Sequence, residues 1–230
     1  MDFPTIDLAE YYATTLSLYL GSLYHCYNHE TFMANLREFY CTESVVGKKP
    51  TGLWHIQMLL VFACGKSILA REATPSGQTG MNYFSQAIEG LPDIRALQQE
   101  PILAIEIICL VALFLEASDI RSASWGYIGQ GVRIALQQGM NREFESGILS
   151  DADNEHRSKL WWTLYIIDRR LTSLMGVPLM IHDADISLPR PIMPTEGSLD
   201  SIFPYHTHLS AELGNVLHGE LVFPPVAAAN

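Results

Sequence analysis

Basic residues are scarce in this chain. Its 230 residues include 14 Lys and Arg against 25 Asp and Glu, a formal net charge of −11. Gripping a phosphate backbone takes a segregated basic surface, and the longest basic runs here are the dipeptides Lys48-Lys49 and Arg169-Arg170. Direct nucleic-acid contact is therefore not expected of this chain. Charge of either sign is sparse, at 17% of residues against 48% hydrophobic, which excludes a disordered or low-complexity protein. The four cysteines, Cys26, Cys41, Cys64 and Cys109, form no C-x-x-C pair. That excludes zinc-ribbon and thioredoxin spacings and points to buried, reduced thiols in an intracellular protein. The opening MDFPTIDLAEYY has neither the basic nor the apolar region of a signal peptide, and N-x-Ser/Thr sites are absent. The most apolar run, residues 102–117, contains Glu106 and Glu116 and falls short of the ~20 residues of a membrane span, so a buried core helix is expected.

Strand signals are also thin, and what is present is helical periodicity. Residues 7–24 carry Leu8, Tyr11, Tyr12, Thr15, Leu18 and Tyr19 at helical spacing. A second helix, with Thr31 as its cap, presents Phe32, Leu36, Phe39 and Tyr40. After a loop at 47–52, residues 53–70 are apolar on nearly every side and predict a central helix. A turn-rich connector at 73–80 leads to a short helix over 81–90. Pro101 suits the first helical position of the 102–117 helix. Ser122 or Ser124 is the expected cap of the next helix, whose inner stripe is Trp125, Ile128, Val132, Ala135 and Leu136 and whose end is Gly139. Ser150 then caps a long helix with Leu160, Leu164, Ile167, Leu171 and Leu174 on one face, ended by Gly176 and Pro178. A last helix is expected near 204–219, followed by a Pro224-Pro225 tail. The fold class is all-α: a multi-helix domain with short loops and an extended acidic, proline-rich segment near 181–194.

Catalytic and metal motifs are missing. Gly65-Lys66-Ser67 resembles the end of a phosphate loop, but Leu60 stands where its first glycine belongs, inside an apolar helix. Gly126, Gly129 and Gly131 do not complete G-x-G-x-x-G and read instead as close helix contacts. His25 and His29 stand four apart, half a zinc site at most, and read as a structural pair at a helix end. His206 and His208 read as loop or helix-entry residues, and no metal is assigned anywhere. Buried Glu106 needs a polar partner, for which Arg133 is a candidate. Two readings fit Trp161, Trp162, Tyr165, Asp168, Arg169 and Arg170: core filling with charges that cement the helix, or the wall of a ligand pocket. His182, Asp183 and Asp185 equally read as a solvated loop or as acid–base groups of the same site.

The segment WGYIGQGVRIALQQGMNR at 125–142 resembles the "lG.AiRlA..lGlhr" block of the fungal-specific transcription factor domain. The blocks that follow match the same family in order: Glu155-His156-Arg157, Leu160-Trp161-Trp162, Tyr165-Ile166-Ile167-Asp168-Arg169, Gly176-Val177-Pro178, Ile181-His182-Asp183-Ala184-Asp185-Ile186 and Leu188-Pro189. Ser158-Lys159 stands where a second arginine is common, and Val177 where the family often has arginine. The resemblance covers most of the chain, with its best-matching core at 81–194. It implies one helical regulatory domain over 1–230, shorter than the family at both ends and without the six-cysteine zinc module or its basic linker. It further implies a nuclear transcription regulator of a metabolic or biosynthetic gene set, with no cofactor, a small-molecule inducer, and a protein partner or homodimer contact through helices. The alternatives are a small cofactor-free cyclase or isomerase reusing a helical pocket, and an inactive gene fragment.

Overall fold

The computed structural model describes residues 3–46, 52–70, 79–143, 149–194 and 202–219. Residues 47–51 of the expected 47–52 loop, most of the 73–80 connector and the 224–225 tail lie outside these. Among the described residues the protein is all helical, without a strand. In chain order the helices are α1 (Ile6–Leu20), α2 (His29–Val46), α3 (Leu53–Leu69), α4 (Met81–Glu89), α5 (Ile94–Leu97), α6 (Pro101–Ala117), α7 (Arg121–Gln137), α8 (Asp151–Met175) and α9 (Phe203–His218).

Helices that are apolar all round belong in the middle of a bundle, and two of them form the centre here. In α3 the residues from Ile56 to Gly65 are buried without interruption, and in α6 those from Ala104 to Ala112. Around this pair, α1 and α4 pack on α3, α7 packs on α6, and α8 lies between α7 and α9. The sequence face of α8 marked out one stripe of leucines, but ten consecutive residues from Leu160 to Arg169 are buried. Each large apolar side chain so buried contributes about 1.5–3 kcal/mol. Leu174, expected on the buried face, is instead exposed.

Glycines set the closest crossings. A Cβ on Gly65 would stand 2.4 Å from the Tyr12 carbonyl oxygen, so α1 and α3 touch backbone to backbone there. Gly65 is thus a packing residue. Gly131 lets α7 sit against Ile108 of α6 and Leu164 of α8, each 2.9 Å from where its Cβ would be. Gly126 meets nothing within 4 Å, so the close-contact reading holds for Gly131 and not for it.

Several helix ends follow the sequence. The Ser150 Oγ accepts from the Asp153 backbone N–H at 3.1 Å, and Gly176 leaves α8 with φ +64°. Pro101 opens α6. Other ends depart from expectation. The cap of α2 is Asn28, whose Oδ1 accepts from Thr31 N at 3.0 Å, so Thr31 is the capped donor. Neither Ser122 nor Ser124 caps α7. Ser124 is buried and donates to the Ala112 carbonyl at 2.8 Å, tying α7 to α6. On α1 the buried side is Ala9, Tyr12, Ala13, Thr15 and Leu16, whereas Leu8, Tyr11, Leu18 and Tyr19 face solvent. The small residues Ala9 and Ala13 permit the close α1–α3 crossing, which side-chain hydrophobicity alone does not reveal. Cys26, Cys64 and Cys109 are buried as expected, while Cys41 is exposed.

Candidate functional site

The family-like blocks converge on one structure: α8 and the strap that follows it. From 176 to 194 the chain is non-helical except for a single 3₁₀ turn at Asp183–Asp185, so the expected extended segment is bent at its middle. Side chains of α8 hold that strap down. Trp162 Nε1 donates to the Pro189 carbonyl at 3.1 Å, and the Tyr165 hydroxyl donates to the Asp183 carboxylate at 2.8 Å. Arg169 Nη2 donates to the Ile181 carbonyl at 2.6 Å and to Asp183 Oδ1 at 2.9 Å. Its guanidinium lies 4.5 Å from the centre of the Tyr165 ring. Arg190 closes the far side of Asp183 at 2.9 Å. Asn141, beyond α7, takes the other edge of the strap. Its Nδ2 donates to the Asp185 carbonyl at 2.9 Å, and its own carbonyl accepts from Ser187 N and Leu188 N.

Arg169 is completely sealed, with Asp168 Oδ2 at 3.3 Å as a second carboxylate. Burial pushes the Asp168 carboxyl up to about 6 against the opposing pull of Arg169. On the other side Gly214 of α9 lies flat on the arginine: a Cβ there would sit 2.9 Å from Arg169 Nε. The candidate residues therefore divide. Trp161, Trp162, Tyr165, Asp168 and Arg169 are buried together, while His182 and the side chain of Asp185 are exposed on the strap. None of these seven lines the cleft beside Tyr24 and Glu116, which Arg170 does line. Asp183, Arg190 and Asn141 complete the lock. Asp183 carried a signal in its acidic run and Asn141 lay in the family-like block at 125–142 with no role assigned to it, whereas Arg190 carried none.

A second buried polar chain crosses from α6 to α8. Glu106 accepts from Gln57 Nε2 at 2.7 Å and from His156 Nε2 at 3.0 Å, and His156 Nδ1 meets His25 Nε2 at 2.7 Å. Arg133, the expected partner of Glu106, instead donates to the Gly129 carbonyl on its own helix. His25 sits in the link between α1 and α2, so it pairs with His156 and not with His29. Burial, with help from His156 and Lys159, lowers the His25 pKa to about 4. A neutral His25 donating to His156, and His156 donating to Glu106, place one proton in each link from ring to ring to carboxylate.

The third feature is a cavity of about 410 Å3 between the end of α1, the C-terminal parts of α3 and α6, and α8. Leu20, Leu23, Leu113, Phe114 and Cys64 form apolar walls, and one pole is made by Tyr24, Glu116 and Arg170. Arg170 Nη1 donates to the Tyr24 hydroxyl at 2.7 Å, and Nη2 pairs with the Glu116 carboxylate. Consecutive residues on a helix point about 100° apart, so Arg169 and Arg170 serve different surfaces, and the sequence dipeptide concealed this.

The described residues contain no helix long and apolar enough to cross a membrane and no cluster of three metal-ligating side chains. No solved structure matches the chain. Among curated proteins, a transcriptional regulatory protein of Schizosaccharomyces pombe is 28% identical over 63% of this chain and 19% of its own length. The negative regulator of pleiotropic drug resistance of Candida glabrata is 24% identical over 74% of this chain and 19% of its own. The thiamine repressible genes regulatory protein of S. pombe is 24% identical over 59% of this chain and 18% of its own. The chain thus spans about a fifth of the length of these relatives. The family model of the fungal specific transcription factor domain matches residues 18–206, from the end of α1 to the start of α9, and the chain belongs to that family.

Proposed function

We propose that this chain is the regulatory, middle-homology region of a zinc-cluster-type fungal transcription regulator, working in the nucleus on a metabolic or biosynthetic gene set. It acts by changing helix packing, and DNA contact falls to a separate module or to a partner chain. The observation that carries this reading is the direction of the motif side chains. Trp162, Tyr165, Arg169 and Asp183 spend their polar groups pinning the strap to α8, an arrangement suited to holding one conformation against another. The formal charge of −11 supports a division of labour in which a basic module makes the phosphate contacts. A small-molecule inducer would act by favouring one packing, and a protein partner or second copy would dock on the helices.

The test is a fusion of residues 1–230 to a heterologous DNA-binding domain, read on a reporter gene in a fungal host. The expected outcome is a change in reporter output of at least threefold relative to the DNA-binding domain alone. Arg169→Met, which strips the strap of its central anchor, should abolish that change at equal protein level. A fusion that leaves the reporter unchanged under inducing and non-inducing growth conditions sinks the regulatory reading.

A further inference from the structure

The cavity above Arg170 has a polar pole whose accounts are unequal. Its ion pair is closed: Arg170 Nη2 is on Glu116, and Nη1 is on the Tyr24 hydroxyl, with the guanidinium 5.5 Å from the Tyr24 ring centre. Hydrogen-bond donors are left over. Arg170 Nε is buried and finds no acceptor among the described residues. The Tyr24 oxygen accepts from Arg170, which leaves its own O–H to donate. Burial, partly offset by Arg170, pushes the Tyr24 phenol up to about 12, which keeps that proton in place at neutral pH. Burial also raises the Glu116 carboxyl against the pull of Arg170.

We propose that this cavity binds an uncharged, mainly apolar organic molecule bearing a carbonyl oxygen, of the ketone, ester or lactone class. Its volume of about 410 Å3 lies inside the ~300–1,000 Å3 range of small-molecule sites. The walls of Leu20, Leu23, Leu113 and Phe114 take the apolar body. The carbonyl oxygen accepts from the Tyr24 hydroxyl, whose oxygen is taken by Arg170 Nη1 and whose proton is left to donate. A carboxylate would lie beside Glu116 and an ammonium beside Arg170, and either would have to open a partly buried ion pair. Neutrality and a single acceptor are thus selected together. Four helical regions meet at the cavity, so an occupant would bias their packing, and in this respect the inference rests on the regulatory reading above.

The test titrates the purified 230-residue chain with three probes of equal chain length: 2-nonanone, nonanoate and nonylammonium, followed by calorimetry at fixed salt. Saturable one-to-one binding of 2-nonanone is expected, at least tenfold tighter than either charged probe. Leu113→Trp fills the cavity and should weaken binding at least tenfold, with Leu23→Trp as the second filling variant if the first loses its helical circular dichroism. Tyr24→Phe should weaken binding severalfold, and Leu209→Ala on the outer face of α9 should leave it unchanged. The proposal is overturned if 2-nonanone shows no saturable binding, if nonanoate binds as tightly, or if a folded filling variant binds like the wild type. A chain that drives the reporter but ignores 2-nonanone loses the cavity proposal alone. One that binds 2-nonanone but leaves the reporter silent loses the regulatory reading alone.

Discussion

Arg169 and Arg170 are chain neighbours, yet one is sealed beneath α9 and the other holds the pole of an open cavity. At Arg169 the environment decides the charge state of the residue beside it. The Asp168 carboxyl lies at about 6 in the folded chain against 3.8 when exposed, so the folded state binds more protons than the unfolded state across that interval. The resulting stability is present in full below pH 3.8 and is lost as pH rises through 6. Asp168→Asn cannot titrate, and Asp183 still pairs Arg169. The stability of this variant relative to wild type should therefore rise by roughly 2 kcal/mol between pH 4 and pH 7. Urea melts across that range measure it, and a flat difference refutes the assignment. His25 works in the opposite sense: its pKa falls from 6.5 to about 4, so its contribution is present above 6.5 and lost as pH falls through 4. The two groups offset each other in the wild type, and removing either one exposes the other.

Among the elements, periodicity located almost every helix but did not always orient it. For α1 the spacing picked out Leu8, Tyr11, Tyr12, Thr15, Leu18 and Tyr19; Tyr12 and Thr15 are buried, with Ala9, Ala13 and Leu16, and the other four face solvent. Hydrophobicity ranks side chains by area, whereas a crossing that brings two backbones together needs small ones. Gly65 is the other half of that crossing. Gly65→Ala places a methyl 2.4 Å from the Tyr12 carbonyl oxygen, an overlap that only a backbone shift relieves. We expect a loss of ~3 kcal/mol by chemical denaturation, where Ala in an exposed helix interior would ordinarily stabilise by up to ~1 kcal/mol relative to Gly. A neutral or stabilising result would mean that α1 does not approach α3 so closely.

For the molecule as a whole, the acidic surface makes a plain expectation about DNA. With a formal charge of −11 and no basic cluster, the purified chain should bind duplex DNA no more tightly than ~10⁻⁴ M at physiological salt. Fluorescence anisotropy with a labelled duplex measures this, and micromolar binding that weakens with salt would reveal a basic surface that the sequence does not display. The bundle also explains why the long α8 is buried over ten residues: it lies between α7 and α9, with the strap across it, and a helix so placed has no solvent side in its middle.

Local chemistry written in the chain determined the helical class, the caps at Ser150 and Gly176, the opening of α6 at Pro101 and the central place of α3 and α6. Each of these depends on residues within a turn or two of one another, so spacing is enough to read them. The α8–strap blocks were legible as a group for the same reason, since they lie within 30 residues of Trp161. What the tertiary structure decided was partnership. Glu106 took His156 and Gln57 in place of Arg133, His25 took His156 in place of His29, and Asn141 became the outer clamp of the strap. Arg170 found Glu116, 54 positions away, and Tyr24, 146 positions away. A buried charge must pair with whatever the packing brings within about 3 Å, and the packing is set by the sum of apolar contacts between helices distant in sequence.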